Sequence, residues 1–397
     1  MTERCGAAKY RPRPPERRLR FSRSQPLPTK GSEPVRAPAI IRSGWWVAAA
    51  AVAVSLITAW IAIAPLASRP AEETPESEFV LHQATVPHDL VVRAMAKDGV
   101  RVLTDPPFLT ATEIDRRNEE DRGKLLVSDD RVIGVIIGDD ARAYPLRLMR
   151  WHEVVNDVVG GEPIAVTYSP LCDSVAVFSR EVDGEILELG VSGYLFNSNT
   201  LLYDRRLPPA ATPLWLQLDG EIIAEPDPGF SSPLSARRAA LDTWAEWRER
   251  HPKTRILAPE QDLKRIYKRD PYHSYFGSDL LHFPVRPLPP GERHLKDRVV
   301  VVTVDETDAV FALKDLAAAS GSDRGTVEVE AAGVPMRIRF TVAPGTAVVE
   351  PLSEPSRLNA VRHTFWFAWY SLGGMIPDMD AFQISDRELK SPIPSPG

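Results

Sequence analysis

The 23 residues from Gly44 to Leu66, GWWVAAAAVAVSLITAWIAIAPL, carry no charge. The hydrocarbon core of a bilayer is roughly 30 Å thick and takes about 20 apolar residues in a helix. The stretch therefore reads as one transmembrane helix. Trp45, Trp46 and Trp60 lie towards its ends, where amphipathic rings favour the membrane–water interface. A soluble core helix of this length would show a polar face, and this stretch has none.

Charge gives the span a direction. Residues 1–43 hold 11 Lys and Arg against 3 Asp and Glu, leaving 37 basic and 51 acidic residues for the rest of the chain. Glu72, Glu73, Glu76 and Glu78 follow the span. The positive-inside rule puts the N-terminus in the cytoplasm and residues 67–397 outside, in a single-pass inner (plasma) membrane protein. A cleaved signal peptide is the alternative. Its basic region would be unusually long, and Ala62-Ile63-Ala64 runs into Pro65, a poor cleavage site. The expected organisation is a disordered basic tail at 1–43, a signal anchor at 44–66, an acidic linker at 67–84 and an extracytoplasmic domain at 85–390. The membrane, through residues 44–66, is the one partner expected from this pattern. The overall net charge of −6 excludes a nucleic-acid binder. Two cysteines exclude a disulfide scaffold and Cys-rich zinc modules. With Cys5 inside and Cys172 outside, the two cannot pair.

The domain repeats itself. Arg131–Met149 aligns without a gap over Arg298–Leu316, each reading as a β-branched strand, a polar turn, a second strand and the start of a helix. Gly161-Glu162-Pro163 matches Gly333-Val334-Pro335, and Trp244-x-x-Trp247 matches Trp366-x-x-Trp369. Thr243 and Glu246 have the spacing of a capping box. The expected fold is α+β, with mostly antiparallel strands in two related repeats at about 125–260 and 290–385.

Polar residues confined to the first copy are the functional candidates. They include His152, Glu153, Asn156 and Asp157, then Ser169 to Asp173, Ser192 to Asn199, Tyr203-Asp204-Arg205, and Trp215 with Gln217. Opposite Cys172 the second copy has Pro344. Leu148, Trp151, Val155 and Val158 predict a helix over 146–159. On that helix His152 and Asn156 share one edge, and Glu153 and Asp157 face solvent. Asp204-Arg205 has the spacing of a local ion pair. His82, His88, His251, His282, His294 and His363 show no metal spacing.

Cys172 has three readings: a buried hydrophobe, a thiolate nucleophile or redox thiol activated by His152, or a soft ligand for copper or zinc with His152 or His273. In the catalytic reading His152 is base or ion-pair partner, and Asn156 and Ser192 orient. Asp204, Trp215, Gln217 and Tyr272 are expected to line the ligand pocket. In the non-catalytic alternative the pocket holds a small molecule or peptide, and Cys172 only packs.

The ordered motifs WHEVVND, GGEPIAVTYSPLCDSVAVF, VSGYLFNSNTLLYDR, TWAEW, DPYHSYF and FWFAWYSL resemble the bacterial and archaeal domain of unknown function 3179, over about 130–375. The resemblance implies export or membrane attachment and no established activity. The family's usual central motif is Thr-Tyr-Cys-Pro-Leu-Cys. Here its second cysteine is Cys172, and its first is Ser169. A dithiol or two-sulfur metal site implied by that pattern would therefore lack one sulfur.

Overall fold

The computed structural model describes residues 78–120, 124–227, 232–291 and 293–373. The apolar span at Gly44–Leu66 lies outside the described residues. Among the described residues no helix is long and apolar enough to cross a membrane.

The chain opens with strands β1 (Val91–Arg93), β2 (Leu103–Thr104) and β3 (Phe108–Thr110) and helix α1 (Ala111–Glu120). A hairpin of β4 (Arg131–Ile137) and β5 (Asp140–Pro145) leads into helix α2 (Leu146–His152), then β6 (Val154–Val159), β7 (Glu162–Ser169) and β8 (Ser174–Ser179). The short pair β9 (Glu181–Val182) and β10 (Glu185–Ile186) follows. After it come β11 (Leu189–Phe196), β12 (Asn199–Asp204), β13 (Leu214–Leu216), β14 (Ile222–Ala224), β15 (Ala236–Arg237) and β16 (Ala240–Thr243). Helix α3 (Trp244–Arg250), β17 (Arg255–Leu257) and the one-turn α4 (His273–Phe276) lead to the second half. That half runs β18 (Arg298–Val304), β19 (Thr307–Ala312), α5 (Leu313–Ser320), β20 (Arg324–Ala331), β21 (Val334–Thr341), β22 (Thr346–Pro351), β23 (Leu358–Phe365) and α6 (Trp366–Ser371).

The strands form mostly antiparallel sheets, as the α+β expectation requires. One eight-stranded sheet has the order β19-β18-β23-β8-β7-β6-β2, with β15 paired beside β8. The other has the order β20-β21-β22-β16-β4-β5-β17-β3. Only β2 with β6 and β17 with β5 pair in parallel among these strands. Each sheet draws strands from both halves of the chain. β16 lies between β4 and β22, and β23 lies between β18 and β8. The two sheets share two cores, one around Ile133, Tyr144, Val155 and Val166, the other around Val302, Phe311, Met336 and Ile338.

A five-stranded sheet, β1-β11-β12-β13-β14, covers the outer face of β6 to β8. Val154, Ala165 and Ala176 meet Val191, Leu202 and Trp215 there. Strands covered on both faces read as continuous apolar runs rather than alternating ones, and every residue of β8 is buried. Phe79, expected in the linker, is buried instead and packs edge-on against Tyr194 and Tyr203.

The helix expected over 146–159 ends at His152. Glu153 adopts φ 57°, outside helical conformation, and Val154–Val159 pairs with β7 over six residues. The four β-branched valines fit a pleated surface better than a helix. Thr243 caps α3 as its spacing predicts, its Oγ1 accepting from the Glu246 N–H at 3.3 Å. Trp247 packs closely against Gly134 of β4, where an added Cβ would sit 2.1 Å from the indole.

One charged cluster ties the sheets together. Arg131, the first residue of β4, donates two hydrogen bonds of 2.8 Å to Asp173. Arg298, the first residue of β18 in the other sheet, donates a third at 2.7 Å, and the Tyr168 hydroxyl a fourth at 2.7 Å. Burial alone would raise the Asp173 carboxyl, but the two guanidinium groups hold it far below the usual carboxylate range. Gly345 closes the far side: a Cβ there would meet Arg298 at 2.3 Å.

Asp173→Asn leaves Arg131 buried without its counter-charge, so it should cost about 3 kcal/mol or more in urea unfolding at pH 7. Because the folded pKa is depressed, the wild-type contribution is present above the unfolded value of about 3.9 and is lost as pH falls below it. The difference between variant and wild type should therefore shrink in acid.

Candidate functional site

Three chain corners meet where the five-stranded sheet crosses the end of β7. The first is the α2–β6 corner, where the Tyr168 N–H donates to the Glu153 carbonyl at 2.8 Å and holds Glu153 in its reversed conformation. The second is the turn Pro170-Leu171-Cys172 between β7 and β8. The third is the β11–β12 hairpin, whose tip residues Asn197 and Ser198 both have positive φ. It delivers Asn199 and Thr200 to the same place.

The side chains that arrive there form two buried polar clusters on either side of Cys172. Thr200 Oγ1 lies 3.1 Å from Glu153 Oε2 and 3.1 Å from Ser169 Oγ. A hydroxyl has one proton, so Thr200 donates to one of these groups and accepts from the other. Ser169 and Asn199 lie beside the Cys172 thiol and partly offset the effect of its burial. Asn199 Nδ2 also donates to Gln217 Oε1 and Ser174 Oγ, each at 3.1 Å. The Ser174 hydroxyl donates to Gln217 Oε1, and Gln217 Nε2 donates to Thr167 Oγ1 at 2.8 Å.

Glu153, Ser169 and Thr200 form the polar floor of a pocket of about 180 Å³. Met95, Leu171, Leu195 and Phe283 supply apolar wall, and Tyr272 and His282 also line it. Glu153 is fully buried, which pushes its carboxyl up to about 7, and the single Thr200 hydrogen bond opposes that only in part. It is therefore divided between acid and carboxylate near neutral pH. Burial also raises Tyr272 above the ordinary phenol value.

The structure brings together some of the expected residues and separates others. Cys172 is sealed, packing with Tyr275, Val285, Phe365 and Phe367. Burial pushes its thiol up to about 12, so it is protonated at neutral pH. His152 does not activate it. Its Nδ1 lies 2.5 Å from the Arg101 carbonyl and its Nε2 2.6 Å from the Tyr267 hydroxyl. The carbonyl can only accept, so Nδ1 carries the proton and Nε2 accepts from Tyr267. Burial lowers the His152 pKa, which keeps this neutral tautomer.

Asn156 stitches β6 to β11 through two 2.9 Å bonds to the Leu189 backbone. Ser192 bonds the Leu201 carbonyl at 2.7 Å. Asp204 pairs with Arg206 rather than Arg205, which pairs with Glu188. Trp215 is core, its indole N–H donating to Ser232. His273 is exposed. Among the described residues no three His, Cys, Asp or Glu side chains are placed to hold a metal ion. The copper or zinc set of Cys172, His152 and His273 is not assembled.

Of the four residues expected to line the pocket, Tyr272 lines it, whereas Gln217 lies in the buried network and Asp204 and Trp215 are also outside the lining. Glu153 and Asp157, assigned to a solvated helix face, are both buried. Asp157 is held by Arg142 at 2.7 Å and by the Tyr144 hydroxyl at 2.6 Å. The missed residues are Glu153, as the titrating group of the pocket, and Thr200. Reading Val154–Val159 as a strand would have placed Glu153 at a buried corner.

The family described as Protein of unknown function (DUF3179) matches residues 97–349, well over half of the chain, and the chain belongs to that family. No curated protein matches it, and no solved structure does.

Glu153 has a raised folded pKa, so its contribution to stability is full below about pH 4.5 and is lost as pH rises through about 7. Glu153→Gln should remove that loss. In urea unfolding, the variant should gain on wild type by up to about 3 kcal/mol between pH 4.5 and pH 8. Iodoacetamide at pH 7.5 should leave Cys172 unmodified in the folded protein and label it once urea unfolds the chain.

Proposed function

We propose that this member of the family is a membrane-anchored, extracytoplasmic binding module that takes a small organic ligand into the pocket above Glu153, with Cys172 structural. The observation that carries this reading is the pocket itself: an apolar wall over a floor of Glu153, Ser169 and Thr200. Its volume is below the roughly 300 Å³ of a drug-sized site, so the ligand is small. The walls favour an apolar body, and the floor favours one O–H or N–H group that pairs with Glu153. Thiol chemistry has less support, because the sulfur is sealed and protonated and has no base beside it. Metal chemistry has less support for want of a ligand set.

Anchoring rests on the uncharged span and on the charge asymmetry around it. The two-repeat reading is supported by the matching succession of strand, strand, helix and three strands in β4–β8 and β18–β22. It is further supported by Arg131 and Arg298, which open corresponding strands and meet at Asp173. In this reading the second copy is scaffold and the first carries the pocket.

A second reading is acid–base catalysis. A carboxyl near pH 7 is matched to giving and taking protons at neutral pH, and Glu153 is such a group.

Ligand-detected NMR with short-chain alcohols, amides and amines tests the binding reading. Compounds that bind should share one donor group on an apolar body, and Met95→Trp, which fills the pocket from its rim, should release them. Equal binding to that variant would sink the reading. Retained binding with lost turnover in Glu153→Gln would favour the catalytic one. The anchor has its own check. The full chain should remain in the membrane pellet after carbonate washing, and a protease added outside the cytoplasmic membrane should remove residues beyond 67.

A further inference from the structure

A second pocket, of about 200 Å³, lies on the side of α2 that carries Arg147 and Arg150. Asp129 to Arg131, Leu146, Tyr267 to Asp270 and Pro344 complete its lining. Its charged residues are Arg131, Arg147, Arg150, Lys268 and Arg269 against Asp129, Asp130 and Asp270; with Arg131 paired to Asp173 behind the lining, the excess is one positive charge. It shares no lining residue with the pocket above Glu153.

The two helix arginines are half-engaged in the same way. Arg147 uses Nη1 for the Leu125 carbonyl at 2.8 Å and for Asp130 at 3.2 Å. Arg150 uses Nη1 for Asp270 at 2.9 Å. The Nε–H of each is buried and has no partner. Buried donors of this kind are normally satisfied. On a guanidinium, Nε and Nη2 form the fork that meets two oxygens of a carboxylate or phosphate side by side. Residues three apart on a helix are neighbours on one face, and both side chains line the same pocket, with their Nε–H groups buried at its edge. Arg131 lies at the back with its charge already committed to Asp173, so it contributes little to a second anion.

We infer that this pocket is an oxyanion site, built to take a phosphate or carboxylate group between Arg147 and Arg150. The anion would be met by the free edge of each guanidinium, through a small turn of either flexible side chain. Asp130 and Asp270 fix the Nη1 corners and keep the two groups from swinging away. The inference is independent of the ligand proposed for the Glu153 pocket.

Calorimetry on the full-length protein tests it, with inorganic phosphate titrated at constant ionic strength and sodium chloride as the reference. Phosphate should bind saturably and chloride should not. Arg147→Gln and Arg150→Lys should each weaken phosphate at least tenfold. Arg150→Lys keeps the charge and loses only the fork, so its loss separates bidentate recognition from general attraction and spares the fold. Arg337→Gln, outside the pocket, should bind as wild type does. Glycerol phosphate and acetate, run in parallel, tell a phosphate monoester or a carboxylate from the free ion. Binding of any one of the three that Arg150→Lys abolishes upholds the site. No saturable binding of any of them, or binding unchanged by both arginine substitutions, overturns it.

Discussion

A carboxylate with no water around it holds the two large sheets together. Asp173 takes four hydrogen bonds, from Arg131 in one sheet, Arg298 in the other and Tyr168 beside it. Asp173 and Arg131 are taken out of water and Arg298 only in part, and buried charges repay their desolvation only when their geometry leaves no donor or acceptor wanting. The turn that carries Asp173 also carries Cys172 and follows Ser169. The position of the candidate site is therefore set by an ion cluster that lies outside the pocket lining.

Glu153 and Asp173 show how neighbours decide the state of a carboxyl. Both are fully buried, and burial pushes both up. Asp173 faces two guanidinium groups, which more than reverse the effect. Glu153 faces one hydroxyl, which does not. One carboxyl is locked as an anion and serves the architecture. The other is left near the midpoint of its titration beside a pocket, the condition under which a side chain responds to a ligand or to a proton.

Much of the scaffold was legible because its signals are local. The β-branched runs at 131–137 and 298–304, the turns after them and the Thr243 cap each depend on a few adjacent residues. Val154, Val155, Val158 and Val159 were ambiguous, since the same spacing satisfies a helical stripe and a strand covered on both faces. Misreading them as helix put His152 beside Asn156 and turned Glu153 to solvent. The pairing of Cys172 with His152 failed for another reason. The groups around the sulfur come from residues 169, 199, 275, 285, 365 and 367, and those around the imidazole from 101 and 267. No local pattern reports which of these distant segments meet.

The sequence by itself determined the uncharged span, the charge asymmetry across it, most strands and turns, and membership of the family. Those properties depend on composition and on order along the chain. Tertiary structure alone decided that Cys172 is sealed and protonated, that burial keeps His152 neutral, that burial raises Glu153 towards neutrality and that two arginines line one pocket. Each of these depends on the local dielectric and on which charges lie within a few ångströms, and both are made by segments that only folding brings together.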